Sequence, residues 1–326
     1  MTSSQVHAEP DFSEVAVLLA NRAGEPEAVD AVATDAWLHR LELEFGETPA
    51  VWSPAPDLSE STEARVERTL DDLERLSGLL DLDTTYTYPP LDYLPPAGFL
   101  LSVVIPCYNE EKTIRQTIAR VRAMPLTHEI IVVDDCSTDG TRDILVSLAN
   151  VMRNLTVVFQ TKNGGKGAAL RSGFSKATGD VIVVQDADSE YDPRELPRLV
   201  RPIVEGHADV VYGSRFSDGS AANSTFFHRL GNALLTWASN VFTGLSLTDM
   251  ETGYKAFRRE QLQSLDLKQD RFGFEPEVTA KLARRGWRVA ELPIAYHGRG
   301  FEEGKKIGIK DAFEALWCIV RYWWAD

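Results

Sequence analysis

The sequence has 326 residues, 44% of them hydrophobic, and a formal net charge of −15, enough chain to bury one large core or two modest ones. The charge is uneven: residues 1–98 carry 20 acidic and 5 basic side chains, whereas residues 99–326 carry 29 of each. The neutral remainder argues against a generic nucleic-acid footprint, so no nucleic-acid partner is expected.

The N-terminus, Met1-Thr2-Ser3-Ser4-Gln5, lacks the basic and apolar regions of a signal peptide, and no stretch approaches ~20 consecutive apolar residues. Cys107, Cys136 and Cys318 cannot all pair and show no metal-ligand spacing, which suits a reducing compartment. A soluble or peripheral protein is expected, cytoplasmic or on the cytoplasmic membrane face. Residues 1–84 read as a few short helices with acidic outer faces: Ala31 to Phe45 spaces Val32, Trp37, Leu38, Leu41 and Phe45 helically, and Thr62 to Leu80 does so with Val66, Leu70, Leu73, Leu76 and Leu80. Either a docked appendage or a segment for self-association or a protein partner fits this pattern. Pro89, Pro90, Pro95 and Pro96, interleaved with Tyr86, Tyr88 and Tyr93, mark an extended linker over 85–98 and hence a domain boundary.

From Phe99 onward strands alternate with amphipathic helices. Strands are expected at Leu100–Ile105, Glu129–Val133, Leu155–Phe159, Asp180–Gln185 and Asp209–Tyr212. Helices are expected at Glu110–Ala123, Thr138–Ala149, Gly167–Thr178 and Pro193–Glu205. Strands separated by roughly ten-residue helices imply right-handed crossovers and a parallel sheet.

Each strand of this half ends in a polar cluster, and open α/β sheets bind ligands at the carboxyl ends of their strands. The first supplies Pro106, Tyr108, Asn109 and Glu110 and the second Asp134, Asp135 and Ser137. Ser137, Thr138 and Asp139 could equally cap the following helix. The third leads into Asn163-Gly164-Gly165-Lys166-Gly167, a glycine-rich loop with one lysine that suits a phosphate, although it lacks the Walker and Rossmann spacings. The fourth runs from Val181-Ile182-Val183-Val184 into Asp186, Asp188 and Glu190. Three carboxylates at alternate positions repel one another unless a divalent cation lies between them and a ligand phosphate. An acidic turn before the helix at Pro193 is the plainer alternative.

Taken together, these clusters resemble the family 2 glycosyltransferases, from about Leu100 to Trp323. The resemblance implies an α/β GT-A nucleotide-diphospho-sugar transferase fold, Rossmann-like, with a mostly parallel mixed sheet and flanking helices. The catalytic domain would then span 99–326 with a C-terminal amphipathic helix, behind a helical N-terminal extension. It implies that Pro106, Tyr108, Asn109, Glu110 and Asp135 contact the nucleoside. Asp186-Ala187-Asp188 is the Asp-x-Asp motif, holding ribose, diphosphate and Mg²⁺ or Mn²⁺, and Lys166 belongs with the nucleotide-sugar. Glu190 stands where the nearest subgroup often has Gln, so its place as a third metal ligand is open.

That subgroup is similar to the dolichol-phosphate and polyprenyl-phosphate sugar synthases of the soluble bacterial type. The likeness lies in Gly213-Ser214-Arg215, in Thr248-Asp249-Met250-Glu251-Thr252-Gly253-Tyr254-Lys255, in Glu291-Leu292-Pro293-Ile294 with His297-Gly298-Arg299, and in Glu303-Gly304-Lys305-Lys306. It implies that Arg215, Arg299 and Lys306 hold the acceptor phosphate and donor diphosphate; guanidinium forks and a lysine point charge suit phosphate. The expected reaction is inverting transfer from a nucleotide-sugar, GDP-mannose or UDP-glucose in type, to a polyprenyl phosphate. An anionic acceptor needs no general base, whereas a hydroxyl acceptor needs a carboxylate, for which Asp249 and Glu251 are candidates. Those two residues could instead orient the Thr252–Phe257 strand.

Thr225 to Leu247 and Ile309 to Trp324 are rich in bulky apolar and aromatic side chains and read either as core helices or as helices lying on a membrane surface. The alternatives to a lipid acceptor are a same-fold enzyme acting on a hydroxyl of a glycan, protein or small molecule, and a sugar-nucleotide-binding scaffold without turnover.

Overall fold

The computed structural model describes residues 86–216, 226–298 and 309–324, without the side chains of 226–228 and 309–313. The N-terminal extension over 1–84, with the helices expected at Ala31–Phe45 and Thr62–Leu80, lies outside the described residues. The described residues belong to the unit Pro49–Asp326.

The expected strands are present within two residues of their predicted ends: β1 Leu101–Cys107, β2 His128–Asp134, β3 Leu155–Phe159, β4 Val181–Val184 and β5 Val210–Ser214. The helices between them are α1 Ile114–Arg122, α2 Thr141–Ala149, α3 Lys166–Lys176 and, after a short 3₁₀ turn at Pro193–Glu195, α4 Leu196–Val204. Beyond β5 come α5 Phe226–Thr243, β6 Lys255–Arg258, α6 Arg259–Gln263, α7 Phe274–Arg284, β7 Val289–Pro293 and α8 Ile309–Trp324.

The seven strands form one mixed sheet in the order β3-β2-β1-β4-β6-β5-β7. Strand β6 alone runs against its neighbours, pairing antiparallel with β4 and β5; the other pairs are parallel. This is the α/β GT-A architecture, a mostly parallel mixed sheet with helices on both faces.

Alternation along the strands sorts side chains into two cores. Val103, Ile105, Ile130, Val132, Val181 and Val183 face α1, α2 and α4 through Ile118, Leu145 and Leu199. Val104, Ile131, Val133, Ile182 and Val184 face α3, α7 and α8 through Phe174, Val278 and Ile319. Because both faces are covered, the central strands β1, β2 and β4 read as near-continuous apolar runs. Residues 86–98 have no helix or strand, yet they are pinned: the Tyr86 hydroxyl donates to Asp192 at 2.5 Å, Tyr88 to the Arg120 carbonyl at 2.8 Å and Tyr93 to the Pro197 carbonyl at 2.9 Å.

Two helices start later than their periodicity predicts, because the loops before them are tied to one another. The Asn109 N–H donates to Ser137 Oγ at 2.9 Å, Asn109 Oδ1 accepts from the Thr138 N–H at 2.8 Å, and the Glu110 N–H donates to Thr141 Oγ1 at 2.9 Å. Helix α7 was not anticipated at all. Its buried residues include Glu275, Glu277, Thr279 and Lys281, so polar side chains lie inside and hide the apolar stripe that would mark an amphipathic helix.

Candidate functional site

The carboxyl ends of β1, β2 and β4 and the loop before α3 open on one edge of the sheet. Asn109 and Cys136, at the ends of β1 and β2, take left-handed backbone conformations (φ 56° and 64°), as does Ser189 beyond β4 (φ 58°). Such residues cluster where a site imposes its geometry on the chain. Asp135 accepts from the backbone N–H groups of Gly164 at 2.8 Å and Gly165 at 2.6 Å, which joins the β2 rim to the glycine loop. Burial lifts its carboxyl above the usual range despite these two donors. Glu110 accepts from the Thr113 hydroxyl at 2.7 Å. Gly165 turns at φ 93°, and an added Cβ would meet the Asp270 carbonyl at 2.7 Å, so a glycine is required there.

Lys166, the first residue of α3, lies between two carboxylates, 3.0 Å from Asp186 Oδ1 and 3.4 Å from Glu275 Oε1. Burial alone would lower its ammonium, but the two carboxylates outweigh burial and hold it well above the lysine range. Asp188 follows in the loop beyond β4, its Oδ1 accepting from the Glu190 N–H at 3.2 Å. The Glu190 carboxylate instead accepts from the Tyr296 hydroxyl at 2.7 Å. Among the described residues no three His, Cys, Asp or Glu side chains gather closely enough to hold a metal by themselves.

Asp186 and Asp188 nevertheless fit a hard divalent cation. Mg²⁺ sites built around a nucleotide take one or two carboxylates from the protein and the rest from phosphate and water. The Lys166 ammonium against Asp186 shows that this carboxylate already accommodates a cation.

The motifs after β5 converge on Asp249. Its Oδ2 accepts from Arg215 Nε at 2.6 Å, and its Oδ1 from Arg215 Nη2 at 2.7 Å and from Asn232 Nδ2 at 3.2 Å. Glu291 at the start of the Glu291–Ile294 motif accepts from the Thr248 N–H at 2.9 Å and the Asp249 N–H at 3.0 Å, and Ser214 Oγ meets Thr248 Oγ1 at 2.6 Å. Gly213-Ser214-Arg215, Thr248-Asp249 and Glu291 are thus one cluster. Arg215 also lies 5.3 Å from the Tyr296 ring centroid, a cation–π distance.

The Glu251 Oε1 atom is buried and has no hydrogen-bond partner. Burial first, and the Glu275 carboxylate second, push its carboxyl up to about 8. Lys255, which donates to the Met250 carbonyl at 3.0 Å and to the Thr252 carbonyl, is brought down to about 8, chiefly by burial. Arg299, Lys306 and the rest of the Glu303–Lys306 motif lie outside the described residues.

Sequence reasoning missed Glu275, Asn232, Tyr191 and Tyr296. The Tyr191 hydroxyl accepts from the Gly253 N–H at 2.9 Å, and its ring stacks on Tyr254 at 4.6 Å. None of the four sits in a local motif. Asn232 comes from α5 and Glu275 from α7, whereas Tyr191 lies beyond the end of β4 and Tyr296 beyond the end of β7, so only the assembled sheet and its flanking helices bring them to the site.

Beside this cluster lies an apolar surface. Leu230, Leu234, Trp237 and Val241 on α5 are exposed, Trp237 by 64%, and their spacing puts them on one helix face. On α8 Leu316, Trp317, Val320, Trp323 and Trp324 are exposed too, and Phe242 meets Trp323 at 5.2 Å between ring centroids. Among the described residues no helix is long and apolar enough to cross a membrane.

Comparison with known proteins agrees with this geometry. The family described as "Glycosyl transferase family 2" matches residues 102–265. The chain is 34% identical over 215 residues to an undecaprenyl-phosphate mannosyltransferase of Micrococcus luteus, covering 63% of this chain and 86% of the relative. It is 33% identical over 233 residues to a polyprenol monophosphomannose synthase of Mycolicibacterium smegmatis, covering 68% and 85%. Its fold is similar to the crystal structure of glucosyl-3-phosphoglycerate synthase from Mycobacterium tuberculosis in complex with Mn²⁺, UDP and glucosyl-3-phosphoglycerate, with a TM-score of 0.53, 22% identity and coverage of 73% and 89%. The chain belongs to glycosyl transferase family 2 and is a glycosyltransferase enzyme.

Proposed function

We propose that the enzyme transfers a sugar from a nucleotide-sugar to a polyprenyl phosphate, with inversion and with Mg²⁺ or Mn²⁺, while resting on the cytoplasmic face of a membrane. The observation that carries this reading is the exposed apolar stripe of α5, from Leu230 to Val241, next to Arg215. Asn232 on that helix reaches the same Asp249 that holds Arg215. A phosphate with a long apolar tail needs a cation beside a hydrophobic surface, whereas a sugar hydroxyl acceptor needs a polar groove and an open base. Both relatives named above are named for polyprenyl carriers, which supports the same acceptor.

On this reading each group has a chemical task. Asp135 and the loop Gly164–Lys166 seat the nucleotide. Asp186 and Asp188 hold the divalent cation, which when bound neutralises charge on the leaving diphosphate. Arg215, fixed by Asp249, binds the acceptor phosphate as a preorganised cation, and Arg299 and Lys306 belong to the same phosphate-binding set. The acceptor oxygen is already anionic, so attack on the anomeric carbon requires no proton transfer. The second reading, a hydroxyl acceptor, would turn on Asp249 or Glu251 as base; the first is clamped by Arg215, and burial favours the protonated form of the second.

The test is a radiolabelled transfer assay with a panel of nucleotide-sugars, Mn²⁺ and a polyprenyl phosphate, run beside Asp188→Ala and Arg299→Ala. Organic-extractable product from the wild type, lost in both variants, is expected and would identify the donor. Hydrolysis of the donor without lipid product would turn the reading to a hydroxyl acceptor.

A further inference from the structure

The Lys166 ammonium has two carboxylates within reach and an electrostatic reason to change between them. It sits at the first position of α3, the end of a helix dipole that disfavours a cation, so Asp186 and Glu275 are what keep it there. Asp186 is the better paired of the two, at 3.0 Å against 3.4 Å. Glu275 is nearly inaccessible, with a side chain 5% exposed, and its second oxygen, Oε2, is buried with no hydrogen-bond partner. It also stands in the first turn of α7, where the helix favours an anion. A buried carboxylate with an unused oxygen is a vacancy for a donor.

A divalent cation on Asp186 would repel an ammonium at contact distance, and the nearest countercharge for that ammonium is Glu275. We propose that Lys166 is an exchangeable counter-ion: it neutralises Asp186 until a divalent cation takes that carboxylate, and then pairs with Glu275. The inference rests on Asp186 and Asp188 being the metal-binding carboxylates. It makes Lys166 a built-in competitor of the metal and Glu275 a positioning residue that relieves the competition.

The two residues therefore act on metal affinity with opposite signs, which a merely structural ion pair would not do. The experiment is titration of the full-length protein with Mn²⁺ alone, reading free Mn²⁺ by electron paramagnetic resonance, in variants that circular dichroism shows to be folded. Lys166→Met is expected to bind Mn²⁺ about tenfold more tightly than wild type, because Asp186 loses its resident cation. Lys166→Gln is the substitute if the methionine variant does not fold. Glu275→Gln is expected to bind several-fold more weakly, because the ammonium then has only Asp186. Equal affinities in all three proteins, or weakening in both variants, would overturn the proposal while Asp186→Asn still abolished binding. Mn²⁺ binding that survives in Asp186→Asn would instead remove the metal assignment on which it rests.

Discussion

Arg215 grips Asp249 at two points, Nε to Oδ2 at 2.6 Å and Nη2 to Oδ1 at 2.7 Å, with the Asp249 side chain 0% exposed. A fork-on-carboxylate pair is an orienting device, since both lone-pair directions face the guanidinium. Removing one partner of such a pair strands the other charge and costs about 3–5 kcal/mol. Asp249→Ala is therefore expected to lose that much stability in urea denaturation and nearly all transfer activity. Asp249→Asn distinguishes the roles: a counter-ion leaves the acidic limb of the pH–rate profile in place at lower amplitude, whereas loss of a general base would flatten it.

That pairing also shows what a sequence can disclose. Asp249 and Arg215 stand in separate motifs 34 positions apart, and only the sheet order explains why the motifs meet: β6 lies between β4 and β5 and carries its preceding loop to both. Strands β1 to β5 were legible because covered faces force continuous apolar runs, and the Asp186–Glu190 carboxylates because charge in series after such a run is costly. Glu275 was invisible, since a buried glutamate on a helix of mixed polarity reads as surface until α7 is seen packed against the sheet. Glu190 stood in the acidic series on spacing alone, yet its carboxylate pairs with Tyr296 across the bridge between Tyr191 and Tyr296.

The raised carboxyl of Glu251 makes stability depend on pH. Between its ordinary value of 4.5 and about 8 the native state keeps a proton that the unfolded chain has shed, so this residue lowers stability as pH rises through that window. Lys255 acts in the next window: its native value near 8 lies below the ordinary 10.5, so its contribution rises with pH between those limits. Glu251→Gln removes the first effect. Thermal melts from pH 5 to pH 8 are expected to show the variant gaining on wild type with each step upward; parallel curves would count against the burial of a titrating Glu251.

Gly253 lies close against the Asp-x-Asp motif. A Cβ built there overlaps Asp186 Oδ2 and lies 3.1 Å from the Tyr191 ring. Relieving the overlap must displace Asp186 or Tyr191, and overpacking of this kind costs about 1–3 kcal/mol. Gly253→Ala is expected to weaken UDP or GDP binding in the presence of Mn²⁺ about tenfold, the equivalent of 1.4 kcal/mol. Isothermal titration measures it, with Gly231→Ala, where an added Cβ meets nothing within 4 Å, as the control that should bind normally.

Glu277 supports the site from behind. It is 0% exposed, pairs with Lys281 at 2.9 Å, and accepts from the backbone N–H of Lys268 at 2.8 Å and of Gln269 at 2.7 Å. The loop it fixes returns the favour to the glycine loop: the Asp270 carbonyl accepts from the Ala168 N–H at 3.0 Å, and the Gln269 carbonyl accepts from Arg171. Glu277→Ala leaves Lys281 a buried cation without its carboxylate and frees two backbone donors, so a loss of about 3–5 kcal/mol is expected in denaturant unfolding. Glu277→Gln keeps one acceptor oxygen and should cost less, about 1–3 kcal/mol. Since the same loop braces Gly165 and Lys166, the folded glutamine variant should also show a raised KM for the nucleotide-sugar with little change in kcat; an unchanged KM would mean that the glycine loop holds its shape without this support.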